Sequence, residues 1–258
     1  MSRETIFLEE MGIALWTPRA AIAAAPDAIA APRAVHEAAP PGAVSGRAPL
    51  PQQPTMAPVV QSVSEEPDVA AMDWPALRAA IASCTRCGQC QKPVMGSGSH
   101  TARWMVVAGA TTAADEQAGT PLAGEAGKLL TNMLFAAGLA RDDDAYVTNL
   151  VKCRPVTASG GDRAPTSDEA AACRPFVERE LVLTGAQTVL TLGQVAANTL
   201  LGRGLVEPLA GARGTVHQLA GVPLVATLHP GELLRRGADK ALAWSDLCLA
   251  RAPDVVDH

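Results

Sequence analysis

From residue 73 onward, apolar positions alternate between two patterns, short near-continuous runs and longer stretches with apolar residues three and four apart. Trp104–Ala108, Ala145–Asn149, Thr188–Leu192 and Pro223–Leu228 read as buried strands, and Val216–Leu219 as a further short one. Gly124–Gly138 puts Leu129, Leu130, Met133, Leu134 and Ala137 on one face of a helix. Thr166-Ser-Asp-Glu169 is a capping box that opens a helix to about Leu183, with Pro175 expected to bend its early part. Gln194–Leu201 and Lys240–Arg251 are the later helices. Ahead of them all, Asp73 is an N-cap, Pro75 suits a first turn, and Trp74, Leu77 and Ile81 repeat at helical spacing.

Strands alternating with helices predict an α/β fold, a three-layer αβα sandwich around a central, mostly parallel four-stranded sheet. In such sheets ligands bind beyond the carboxyl ends of the strands. The loops there carry Gly109–Leu122, Asn149, Gly193 and His229-Pro230, so these residues are expected to share one pocket.

Before residue 73 the pattern fails. Residues 4–19 form an apolar island with Ile6, Phe7, Leu8, Met11, Ile13, Leu15 and Trp16, too short for a core of its own. Such an island either packs on its own domain or enters a partner's groove. Residues 20–72, rich in Ala and Pro, carry too little bulky apolar content to offset the entropy of ordering and read as a disordered linker. The expected organisation is therefore a peptide at 1–19, a linker at 20–72, one folded domain at 73–252 and a tail at 253–258.

Charge narrows the partners. Residues 1–72 hold four Arg against eight Asp and Glu, a net −4 of the chain's −5, which leaves the domain close to neutral. Nucleic acid would have to be met by a local patch rather than by bulk charge. No apolar run reaches membrane-spanning length and the N-terminus lacks a signal-peptide layout, so a cytoplasmic location is expected; the expected oligomeric state is a monomer.

Six cysteines in a reducing compartment favour metal or cluster ligation over disulfides. Cys84-x-x-Cys87 plus the distant Cys153 and Cys173 suits four-thiolate binding of zinc or of an iron–sulfur cluster, and spacing does not choose between them. Cys90 offers a second pair register with Cys87. Cys248 is expected to be a buried core thiol.

An ordered set of motifs spans residues 74–250. It comprises Cys84-x-x-Cys87, Gly119-Thr-Pro-Leu-Ala-Gly-Glu-Ala-Gly-Lys-Leu-Leu130, Thr148-Asn-Leu-Val-Lys-Cys-Arg-Pro155 and Glu169 with Cys173. Thr191-Leu-Gly193 with Ala196, Arg213-Gly214, and His229-Pro-Gly-Glu-Leu-Leu-Arg235 ahead of Lys240 and Trp244-Ser-Asp246 complete it. The set resembles the family 4, iron–sulfur uracil-DNA glycosylases. The resemblance implies a 4Fe-4S cluster on Cys84, Cys87, Cys153 and Cys173, with zinc less favoured, and a pocket for a base flipped out of DNA. It implies that Asn149 hydrogen-bonds the uracil pairing edge, an amide both donating and accepting, and that His229 stabilises charge on the departing uracil. Gly109, Leu122 and Gly193 would line the base; Leu233 and Leu234 would sit in a loop that enters the duplex, with Arg235 and Lys152 near DNA.

This chain departs from the family at the chemistry. The family's first motif, Gly-Glu-(Ala/Gly)-Pro-Gly, falls on Ala108-Gly-Ala-Thr-Thr112, so Gly109 stands where the water-positioning Glu belongs. Asp115 and Glu116 match the trailing acids of that motif. Leu122 replaces the Phe whose ring stacks on uracil, and Glu232 replaces an aromatic in the last motif. Two functions follow from different classes. One is a divergent glycosylase that releases uracil in base-excision repair. The other is a catalytically inactive replication or repair accessory. For the second, Leu8, Met11, Gly12, Ile13, Trp16 and Arg19 resemble the peptide by which the psi subunit of the bacterial clamp loader binds the loader's collar.

Overall fold

The computed structural model describes residues 68–87 and 92–252. Residues 4–19, and Cys90 with its alternative pair register, lie outside the described residues. In chain order the elements are α1 (Trp74–Ala82), β1 (Ser97–Gly98), β2 (Trp104–Ala110), α2 (Ala113–Ala118), α3 (Gly124–Ala136) and β3 (Ala145–Val151). They continue with α4 (Ser167–Thr184), β4 (Thr188–Leu192), α5 (Gln194–Leu200), β5 (Val216–Leu219), β6 (Val222–Thr227), α6 (Pro230–Arg235) and α7 (Lys240–Arg251).

The sheet runs β1-β3-β2-β4-β6-β5. Its four central strands are parallel, as expected, and the antiparallel β1 and β5 extend it to six. β5 joins β6 through Ala220 (φ 50°) and Gly221 (φ 84°), the paired positive φ of a tight hairpin turn. One face of the sheet, with Met105, Val107, Tyr146, Leu150, Val189 and Leu224, packs against Val177 and Leu181 of α4 and Ala196 and Leu200 of α5. The other, with Trp104, Val106, Val147, Leu190 and Val225, packs against Leu130 and Leu134 of α3 and Leu247 of α7. Burial on both faces explains why the central strands are near-continuous apolar runs.

The helix ends carry the expected caps. Asp73 accepts from the Ala76 amide (2.9 Å), and Thr166 and Glu169 form both halves of a capping box. α4 continues through Pro175 and stops at Gly185 in the left-handed region (φ 63°). The domain also begins earlier than the pattern indicates. Asp68 caps a 3-10 turn at Val69–Ala71, and Val69 and Met72 pack with Leu77, Ile81 and Phe176. Residues 68–72 therefore belong to the fold and not to the linker. Two isolated apolar side chains beside an Ala- and Pro-rich stretch have no period to betray them.

Candidate active site

Parallel pairing sets Ala108 beside Asn149 at the carboxyl edge of the sheet, and the Gly193 amide donates to the Thr227 carbonyl (2.8 Å). Those two contacts bring the ends of β2, β3, β4 and β6 together. His229 follows β6 as the N-cap of α6, its Nδ1 accepting from the Gly231 amide (3.1 Å). A Cβ on Gly193 (φ 84°) would come within 3.1 Å of the His229 Cβ, so only glycine lets the imidazole approach here. Burial, chiefly, pushes the His229 pKa below its ordinary value; the Glu232 and Asp115 carboxylates oppose this and Arg235 adds to it. The ring is therefore neutral at pH 7. With Nδ1 engaged as an acceptor, its one proton sits on Nε2, a donor available to a ligand.

Asn149 is 1 % exposed. Its Nδ2 donates to Thr111 Oγ1 and Asp115 Oδ2, each at 3.2 Å, while its Oδ1 is buried without a partner. The buried Asp115 also accepts from the backbone amides of Thr112 (3.0 Å) and Ala123 (2.8 Å). Thr111 in turn donates to the Lys152 carbonyl (2.9 Å). Thr111 and Asp115, placed by sequence in the Gly109–Leu122 loop of the expected pocket, thus grip Asn149, a contact that the expectations from sequence did not give them. Further signals were the match of Asp115 to the trailing acids of the first motif and the spacing Thr112-x-x-Asp115, which is a capping box at the start of α2.

Gly109 lies at the end of β2, where a Cβ would meet Val195 Cβ at 3.3 Å. Leu122 is buried with φ 51° and packs in the apolar layer with α3. The Arg141 guanidinium clamps this turn, donating to the carbonyls of Pro121 (3.0 Å), Leu122 (3.3 Å) and Gly127 (2.9 Å). Such a clamp is what holds a non-glycine residue in the left-handed region. Arg213 and Asp246, from two separate motifs, meet in a largely buried ion pair (2.7 Å).

Three expectations need correction. Lys152 is no DNA contact. It is 1 % exposed and its Nζ is held by Glu180 Oε2 (2.6 Å) and Thr148 Oγ1 (2.7 Å), with Tyr146 donating to the other Glu180 oxygen (3.2 Å). Leu233 and Leu234 lie on helix α6 and not on a loop; Leu233 is 1 % exposed and forms part of the core, which leaves Leu234 (49 % exposed) and the exposed Arg235 to face solvent. Cys248 is exposed, not a core thiol.

Among the cysteines, Cys84, Cys87 and Cys173 are free thiols, and Cys153 is disulfide-bonded. Burial pushes the Cys173 thiol up, the charges of Cys87 and Cys84 push the same way, and the backbone amide and charge of Lys152 oppose them. Cys84 and Cys87 are therefore within electrostatic reach of Cys173. Among the described residues no three His, Cys, Asp or Glu side chains gather closely enough for a single metal ion. A cluster binds each thiolate through a different iron, so its ligands stand further apart than those of one ion. A sulfur in a disulfide has no thiolate to give, so Cys153 as a ligand requires the reduced chain.

Two comparisons bear on these findings. The model of the "Uracil DNA glycosylase superfamily" matches residues 95–248. The "Type-4 uracil-DNA glycosylase" of Pyrobaculum aerophilum is 32 % identical over 188 residues, 69 % of this chain and 93 % of that protein. Those of Archaeoglobus fulgidus (30 % over 193 residues, 69 % and 94 %) and Thermotoga maritima (31 % over 148 residues, 57 % and 74 %) are also similar. Taken with the αβα fold and the polar cluster at its sheet edge, these matches show that the chain belongs to the uracil-DNA glycosylase superfamily, as a divergent member of its type 4 branch.

Proposed function

We propose that the protein is a DNA-repair glycosylase that hydrolyses the N-glycosidic bond of deoxyuridine and releases uracil. One observation carries this reading. The buried, unpartnered Asn149 Oδ1 shares the sheet edge with a neutral His229 whose Nε2–H is available. A buried acceptor left without a partner costs free energy unless a ligand completes it. A flipped uracil supplies an imide N–H to Asn149 and an oxygen to His229.

The chemistry then rests on the leaving group. As the glycosidic bond breaks, negative charge grows on the uracil, and a preorganised neutral donor in a dry site stabilises it. Nothing at Gly109 can position water, and Asp115 is occupied by three N–H donors. Attack by water therefore follows from stabilisation of the departing base and not from a dedicated base catalyst. Leu234 and Arg235, exposed on α6, are the residues available to strand and phosphate. The reading is tested with protein in excess over a single-stranded oligonucleotide bearing one uracil. Free uracil and an abasic site are expected in equal amounts, and the absence of both would overturn the enzyme.

Cys84, Cys87 and Cys173, with Cys153 once reduced, fit a 4Fe-4S cluster. When bound, it would act as a staple joining the segment after α1, the segment after β3 and the helix α4. Protein purified anaerobically with reductant is expected to hold about four irons, and Cys173→Ala to lose most of them. Equal iron in both proteins would remove Cys173 from the ligand set.

A further inference from the structure

An amide offers two N–H donors and one carbonyl acceptor. In Asn149 both donors are already engaged, by Thr111 Oγ1 and by Asp115 Oδ2. A carboxylate oxygen only accepts, so Asp115 fixes which end of the amide faces it, and that end is the nitrogen. Asp115 cannot readily turn away, because both of its oxygens are also held by backbone amides, those of Thr112 and Ala123. Thr111 is similarly fixed by its own bond to the Lys152 carbonyl. The one capacity Asn149 retains is Oδ1, buried and unpartnered.

We propose that Asp115 and Thr111 are specificity-determining positioning residues that make Asn149 a pure acceptor, so that the pocket selects a base by its ring N–H and does not read the carbonyl beside it. This inference rests on the reading of the site as a base pocket. Uracil presents N3–H to Oδ1, and hypoxanthine presents the equivalent N1–H. Cytosine and adenine present a bare ring nitrogen, whose lone pair would oppose the Oδ1 lone pairs in a buried setting. The O4 of uracil receives no hydrogen bond from Asn149. Thr111 stands within the stretch that falls on the family's first motif, and Asp115 matches one of its trailing acids.

The test compares single-stranded oligonucleotides carrying one uracil, 4-thiouracil, 3-methyluracil or cytosine. Binding to the full chain is read by fluorescence anisotropy, and release of the base is measured in the same samples. 4-Thiouracil keeps the ring N–H and weakens the neighbouring acceptor; 3-methyluracil and cytosine lack the N–H. Uracil and 4-thiouracil are expected to bind within about 3-fold of each other, and the other two at least about 10-fold more weakly, the usual effect of an unpaired buried polar group. Asp115→Leu, and independently Thr111→Val, each free one Asn149 N–H for O4. Each is expected to raise the preference for uracil over 4-thiouracil about 5-fold or more, the worth of one regained hydrogen bond. That preference is a ratio within one protein, so partial unfolding does not move it, and Thr111→Ser should leave it unchanged. Rejection of 4-thiouracil as strong as that of 3-methyluracil, ratios unmoved in both variants, or binding blind to the base would overturn the proposal. A preference for the ring N–H without release of any base would uphold it while refuting excision.

Discussion

His229→Ala is expected to slow single-turnover uracil release by about 10²–10³-fold, the usual cost of removing one preorganised donor to a developing oxyanion. The loss should fall on the maximal rate and leave the protein concentration for half-maximal rate little changed, because the bond strengthens only as charge develops. Release unchanged in the variant would remove His229 from the chemistry. The pH profile supplies an independent check. Burial lowers the folded pKa of His229 below the unfolded value of 6.5, so the neutral ring persists as pH falls through 6.5. Its contribution to stability is complete above 6.5 and is lost as pH falls through the lower folded value. The acid limb of the unmodified protein should therefore lie below the ordinary histidine range. An acid limb at the ordinary histidine value would mean that the ring is not desolvated as described.

Lys152→Met is expected to be the most destabilising single change, by about 3–5 kcal/mol, because it leaves Glu180 fully buried without its partner. For a domain of this size that corresponds to a fall of about 6–20 °C in Tm. The pair itself is not the source of stability. Burying two charges costs nearly what their attraction returns, so Lys152→Met with Glu180→Gln, which keeps an acceptor for the Tyr146 hydroxyl, should recover most of the loss. Thermal unfolding of the two variants decides the matter. A single variant as stable as the unmodified chain, or a double variant no better than the single, would contradict it.

The same lysine shows where the sequence stops being legible. In sequence Lys152 stands beside a motif cysteine and reads as a solvent-facing cation, because its partner lies 28 residues away on another element. The four central strands were legible because burial on both faces leaves an unbroken apolar run. β1 was not, being Ser97 and Gly98 alone, held to the sheet by pairing with Val147 and Tyr146. α6 was read as a loop because six residues opening on Pro-Gly are too few to show a helical period. Asn149 and His229 could be singled out through the family resemblance, and the structure brings their strand ends to one edge. The grip of Thr111 and Asp115 on Asn149 depends on the path of the chain after β2, which no local pattern encodes.

On the proposed reading, uracil leaves without the acid that the family places at position 109. The most direct measurement follows single-turnover uracil release by the unmodified, cluster-loaded protein and by the Gly109→Glu, Leu122→Phe double variant in parallel. Release by the unmodified chain, accelerated in the variant but not dependent on it, is the expected result. Release by the variant alone would contradict it and would mark the fold as a glycosylase whose chemistry has been switched off.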